Sequence, residues 1–184
     1  MRNPPTLCAV VCGAGPAADA GRLVDLARAE GWSVFVVATP SAVPFLDVPL
    51  IEARTGGPVL SQHRLPSEPR AGSAGRSDAV IVAPATFNTV NKLALGLADT
   101  YALGVVAEAV GLGIPVVVVP FVNAALAARS PFVRSVEQLR AEGVKVLHGP
   151  GEWEPHTADL GAEARVAFPW ERALRLVSAA RVDD

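Results

Sequence analysis

The sequence predicts a doubly wound parallel α/β sheet, a three-layer architecture of the Rossmann or flavodoxin-like kind, in a single domain over residues 1–184. Three observations carry that expectation. Short continuous apolar runs alternate with stretches of helical spacing along the chain. Glycine or proline punctuates the runs. The composition is 51% hydrophobic and only 5% aromatic, with alanine and valine dominant, as suits strands covered on both faces.

Residues 7–12 form the first apolar run, ended by Gly13, and read as a strand. Pro16 suits the first turn of a helix, where its missing N–H costs nothing. Leu23, Leu26, Ala27 and Ala29 have helical spacing, and Gly31 caps that helix. Residues 34–38 read as the second strand. Residues 45–51 read as a short helix end with room for a weak third strand. Residues 52–77 read as a long loop: Gly56, Gly57, Pro58, Pro66, Pro69, Gly72 and Gly75 break any period, and Arg54, Arg64, Arg70 and Arg76 add charge. Loops of that length are functional or disordered as a rule.

Residues 79–83 read as the next strand, and residues 86–112 as two helices joined near Asp99. A strand at 115–119, a helix at 131–142 and a strand at 144–147 follow. Residues 148–168 read as a flap-like loop, Gly/Pro-broken from 148 to 161, and residues 170–177 as a closing helix. There is no internal repeat and no interdomain linker.

The net charge of −2, with the Lys and Arg residues dispersed, points away from nucleic acid. Cys8 and Cys12 lie four apart in a strand, about 13 Å at ~3.3 Å per residue, beyond disulfide reach. They read as buried thiols of a reducing compartment. The first apolar run is too soon broken for a signal peptide. No apolar stretch approaches the ~20 residues of a membrane helix. A soluble, cytoplasmic protein with no membrane partner is expected. His148 and His156 make no metal-ligand pattern with Cys or clustered acids, and no Gly-x-Ser-x-Gly elbow occurs.

Gly13-Ala14-Gly15-Pro16-Ala17-Ala18 follows a strand and opens a helix. Small residues there let backbone N–H groups approach a phosphate at a helix N-terminus, and the same string also fits an ordinary strand–helix turn. A dinucleotide site wants an acid at the end of the second strand. That strand ends Val36-Val37-Ala38-Thr39-Pro40-Ser41, so Thr39 and Ser41 offer hydroxyls instead. The exchange weakens NAD and leaves a mononucleotide open.

Ala83-Pro84-Ala85-Thr86-Phe87-Asn88-Thr89 lies where a strand gives way to a helix, followed by Lys92, Gly96 and Asp99. Pro120-Phe121-Val122-Asn123-Ala124-Ala125-Leu126 closes a later strand. With the Gly13–Gly15 turn and Thr39-Pro40-Ser41-Ala42, these segments resemble, in order, the homo-oligomeric flavin-containing cysteine decarboxylases. Those proteins carry Pro-Ala-Ser-Ala-Asn-Thr and Pro-x-Met-Asn-x-x-Met signatures. Here Thr86 keeps a hydroxyl, Phe87 replaces a small residue, and Val122 and Leu126 replace the methionines.

The resemblance implies FMN as cofactor, bound through Gly13, Ala14, Gly15, Thr39, Ser41, Ala85, Thr86, Asn88 and Thr89, in part from the adjacent subunit of a trimer. Thr86 and Asn88 also read as simple helix caps. The resemblance further implies His63 as the proton-accepting residue, although a plain exposed loop histidine reads the same way. Asn123 would hold the substrate carboxylate. The partner would be a small molecule or peptide ending in a cysteine-like carboxylate. Trp153, His156, Gly161 and Arg165 are the flap's features, and Trp153 fits either a stacking role or cover for a neighbour. No cysteine follows Cys12, so the flap cysteine that reprotonates product in phosphopantothenoylcysteine decarboxylases has no counterpart. Two other readings stay open: an FMN protein of the same fold with another task, such as prenyl transfer to flavin, and a non-catalytic regulatory subunit. The resemblance implies a homo-oligomer built from trimers, and the apolar stretch 93–112, too apolar on all sides for an ordinary surface helix pair, suits an oligomer.

Overall fold

Five parallel strands form one sheet in the order β2-β1-β3-β4-β5. They are β1 (Thr6–Val11), β2 (Ser33–Ala38), β3 (Ala79–Ala85), β4 (Val116–Pro120) and β5 (Lys145–Val146). The structure is a computed structural model that describes residues 4–63, 77–157 and 159–182. The helices are α1 (Gly21–Ala29), α2 (Val48–Thr55), α3 (Phe87–Ala94), α4 (Tyr101–Gly111), α5 (Ala124–Ala127), α6 (Ser130–Ala141), α7 (Gly161–Val166) and α8 (Trp170–Val182). No described helix is long and apolar enough to cross a membrane.

Strand alternation explains the near-continuous apolar runs. Leu7, Ala9 and Val11 of β1 join Val36, Ile81 and Val117 in one core, with Leu23 and Val24 of α1 and Trp170 and Leu174 of α8. Cys8, Val10 and Cys12 point the other way, with Val80, Val82 and Val118, toward Val90 of α3, Val106 of α4 and Phe132 of α6. A parallel sheet covered on both faces needs apolar side chains at every position. Burial pushes the Cys8 thiol far up and the Cys12 thiol up to about 11, so both behave as small apolar residues.

The order places a switch point between β1 and β3, which pair directly (Val10↔Val82) while their connections leave toward opposite edges. Open α/β sheets bind ligands outside the carboxyl ends of their strands at such a point.

Local chemistry sets the element ends. Gly31 adopts φ 85° after α1, and its N–H and that of Trp32 donate back to Arg28 and Ala27, a left-handed helix stop. Two sequence expectations change. Residues 45–51 hold no strand: a 3₁₀ turn at Val43–Phe45 leads into α2, whose N-terminus Asp47 caps by accepting from the Leu50 N–H at 3.1 Å. The loop expected from residue 52 starts after Thr55, because Gly56 at φ 73° supplies the actual stop. Within the expected loop 148–168, α7 occupies Gly161–Val166. Arg64, Arg70 and Arg76, with the Gly and Pro residues between them, lie outside the described residues.

Candidate functional site at the strand ends

The carboxyl ends of β1 and β3 are tied where the Cys12 N–H donates to the Pro84 carbonyl at 3.1 Å. Gly13 follows at once, and a Cβ on it would lie 2.5 Å from the Ser41 carbonyl oxygen. Only glycine lets this turn seat against the turn after β2. That second turn is held by the Thr39 N–H on the Val11 carbonyl at 2.9 Å, and its hydroxyls, Thr39 Oγ1 and Ser41 Oγ, lie 3.1 Å apart. Gly15 then opens a 3₁₀ helix (Gly15–Asp19) with Pro16 near its start, as the proline's geometry favours.

Thr86 caps α3: its Oγ1 accepts from the Thr89 N–H at 3.2 Å and lies 2.9 Å from Thr89 Oγ1. The first N–H groups of a helix have no partner within it. The cap satisfies that of Thr89, leaving Phe87 and Asn88 at the opening turn. Asn88 is exposed, whereas Thr89 is buried and hydrogen-bonds the Cys12 thiol.

The Lys92, Gly96, Asp99 continuation has a structural cause. Gly96 (φ 69°) ends α3 with its N–H on Leu93 and the Leu97 N–H on Lys92. Lys92 Nζ then reaches Asp99 Oδ2 at 2.5 Å across the α3–α4 turn.

The second signature meets the first through the backbone. The Phe121 N–H donates to the Ala85 carbonyl at 2.8 Å. Asn123 caps α5, its Oδ1 accepting from the Leu126 N–H at 2.9 Å. That leaves the Asn123 side-chain NH₂ as its donor. Val122 is buried.

The flap folds onto this segment. His156 bridges Asn123 in parallel fashion, with the Ala124 N–H on the His156 carbonyl at 2.8 Å. Trp153 Nε1 donates to the Pro120 carbonyl at 2.9 Å, and its ring meets Phe168 edge-on, so this tryptophan covers a neighbour. Arg165 of α7 forms a two-pronged ion pair with Asp19 beside the glycine turn, at 2.6 and 3.1 Å. The His156 ring stacks on Phe121, and burial holds its imidazole below the ordinary value.

The structure thus brings Gly13, Ala14, Gly15, Thr39, Ser41, Ala85, Thr86, Asn88 and Asn123 to the strand ends, with the expected cofactor residue Thr89 buried behind them against Thr86 and Cys12. His63 is exposed and meets the edge of the Tyr101 ring at the start of α4, with centroids 5.3 Å apart. Sequence reasoning singled out His156 as a flap feature but missed its pairing with Phe121. Only the long-range bridge to Asn123 reveals it.

A cavity of about 670 Å³ lies elsewhere, over α1, α2 and α7. Its arginines are already matched: Arg22 to Glu171 at 2.9 Å, Arg54 to Asp25 at 3.2 Å and Arg165 to Asp19. The hydroxyls and open N–H groups of the strand ends are the better recognition chemistry.

Comparison with known proteins gives the family. The family model described as Flavoprotein matches residues 1–168. An uncharacterized protein of Methanocaldococcus jannaschii is 37% identical over 95 residues, 44% of this chain and 51% of that protein. A dihydromethanopterin reductase (acceptor) of Methanosarcina mazei is 46% identical over 56 residues, 29% of this chain and 23% of that protein. The chain thus spans about half of the first of these relatives' length and about a quarter of the second's. The solved structure of TvaF, an FMN-dependent cysteine decarboxylase from thioviridamide biosynthesis, is 29% identical with a TM-score of 0.66, covering 88% of this chain and 98% of its own. The chain belongs to the Flavoprotein family, and its structural neighbours include FMN-dependent cysteine decarboxylases and an FMN-binding protein.

Proposed function

We propose that this single-domain protein binds FMN at the β1–β3 switch point and oxidatively decarboxylates a cysteine-like carboxylate, such as a peptide C-terminus. The observation that carries this reading is the convergence of both signatures, the glycine turn and the hydroxyl pair at one set of strand ends. The residues fit the cofactor. Gly13 seats the glycine turn against the turn that carries Ser41, Thr39 and Ser41 supply paired hydroxyls, and α3 presents N–H groups with the positive end of its dipole. No acid closes β2, as adenosine ribose would require. Bound FMN supplies the two-electron acceptor.

This chain's residues do the rest. Asn88, exposed on the opening turn of α3, contacts the cofactor. The side-chain NH₂ of Asn123 holds the substrate carboxylate, its oxygen being engaged in the α5 cap. His63 takes the substrate proton as the flavin is reduced. The site is completed in a trimer, where the exposed Asn88 and His63 of one protomer meet its neighbour. Purified protein should be yellow and release CO₂ from a peptide ending in cysteine. A yellow protein inert toward such peptides favours another task for the bound flavin, such as a reductase activity of the kind named for the Methanosarcina relative, dihydromethanopterin reductase (acceptor).

A further inference from the structure

We propose that Phe121 and His156 form an aromatic wall that closes over bound flavin and governs its release; this rests on the FMN-binding reading above. Phe121 is the point where three motif segments meet. Its N–H is bonded to Ala85 of the first signature. Its ring edge lies so close to Gly15 that a Cβ there would sit 3.3 Å from Cε1. Its face carries the His156 imidazole of the flap, with centroids 4.5 Å apart and planes 29° from parallel. The missing side chain of Gly15 therefore admits an aromatic ring beside the glycine turn.

In a chain only 5% aromatic, the rings concentrate here. Phe121 meets Phe168 at 6.0 Å, and Phe168 meets Trp153 at 5.6 Å and Trp170 at 4.6 Å. The inner side of this cluster is core, and its outer member is the half-buried His156. That ring is held by two bonds that fix the flap rather than the imidazole: Trp153 to Pro120 and Ala124 to the His156 carbonyl. A polar hydroxyl-lined end at Thr39 and Ser41 and an aromatic wall at Phe121 and His156 suit one ligand class, a planar heterocycle joined to a phosphate. The phosphate end sets attraction, and the stacked rings exclude water from the heterocycle.

The test is the rate of FMN release from the reconstituted protein, read as the recovery of flavin fluorescence on dilution. His156→Ala should release FMN roughly two- to tenfold faster, the change that loss of one stacked aromatic contact produces. His156→Phe, which restores a ring without nitrogens, should release it at close to the wild-type rate, and the melting temperatures of the two apoproteins should match. If His156→Ala does not fold, Trp153→Phe, which frees the flap from Pro120, should speed release in the same direction. Wild-type release rates in these flap variants would overturn the wall while leaving the FMN reading intact. Release from His156→Phe as fast as from His156→Ala would overturn stacking. Failure of the wild-type protein to bind FMN would overturn the proposed function and the wall with it.

Discussion

The Phe121 N–H donates to the Ala85 carbonyl at 2.8 Å, and this bond joins two segments that lie more than thirty positions apart in the chain. It makes the end of β4 an extension of the signature that follows β3. Asn123 and Asn88 are thereby carried on neighbouring strand ends, one capping α5 and the other on the opening turn of α3. In the proposed function, substrate and cofactor recognition share these strand ends without any side chain spanning the sheet.

Asn88 and His63 should separate by phenotype. In the proposed site, Asn88→Asp would place a carboxylate near the flavin or its phosphate, and unpaired like charges in a partly buried site cost several kcal/mol, so the purified variant should be colourless. His63→Asn should stay yellow and oligomeric but lose about 10²–10⁴-fold in turnover of a cysteinyl peptide. Full turnover in His63→Asn would place the proton acceptor elsewhere.

Gly13→Ala should be destabilising out of proportion to one methyl group. Its Cβ meets the backbone carbonyl of Ser41, which no rotamer change can move aside. Overpacking of this kind costs about 1–3 kcal/mol, and the glycine turn and the Thr39–Ser41 turn must part to relieve it. Denaturant melts should show the loss, and FMN affinity should fall with it. A variant as stable and as yellow as wild type would show that the two turns are not seated as described.

Stability should fall on the acid side of neutrality. His148 is held below its ordinary value, first by burial and then by Arg140, against a smaller opposite pull from Glu152. Its Nδ1 is buried with no partner. The unfolded chain therefore binds more protons than the native one once the pH drops below about 6.5, and native stability is lost from there downward. His156 adds a loss of the same sign. Chemical denaturation from pH 7.5 to 5 should show this decline, and His148→Leu should flatten it. An unchanged slope in that variant would assign the decline to other groups.

The oligomer should depend on the α3–α4 corner. Much of the apolar stretch 93–112 is accounted for within one chain, since Ala102, Leu103, Val105, Val106 and Ala109 are buried there. The unexplained remainder is Leu95, Leu97 and Leu112, and Leu95 is 73% exposed. Light scattering should give a trimer or a multiple of one, and Leu95→Lys should dissociate it. A wild-type monomer at micromolar concentration would contradict the proposed assembly.

The sheet was legible because buried parallel strands announce themselves as unbroken apolar runs. Residues 7–12 and 79–83 locate β1 and β3 within two residues. Gly31 was legible as a helix stop for the same local reason. Helix α2 was obscured by Pro44 and Pro49, which suit a first helical turn yet break the surrounding period. The Phe121–His156 pair was not legible at all. It depends on a flap returning to a strand end, and no local pattern encodes a bridge between residues 123 and 156.

The most direct test of the account is the mass of whatever the native protein retains, measured by native mass spectrometry before and after incubation with FMN. The account predicts FMN at one per chain in the wild-type protein and none in Asn88→Asp. Retention of FAD or NAD, or an empty protein after incubation with FMN, would contradict it.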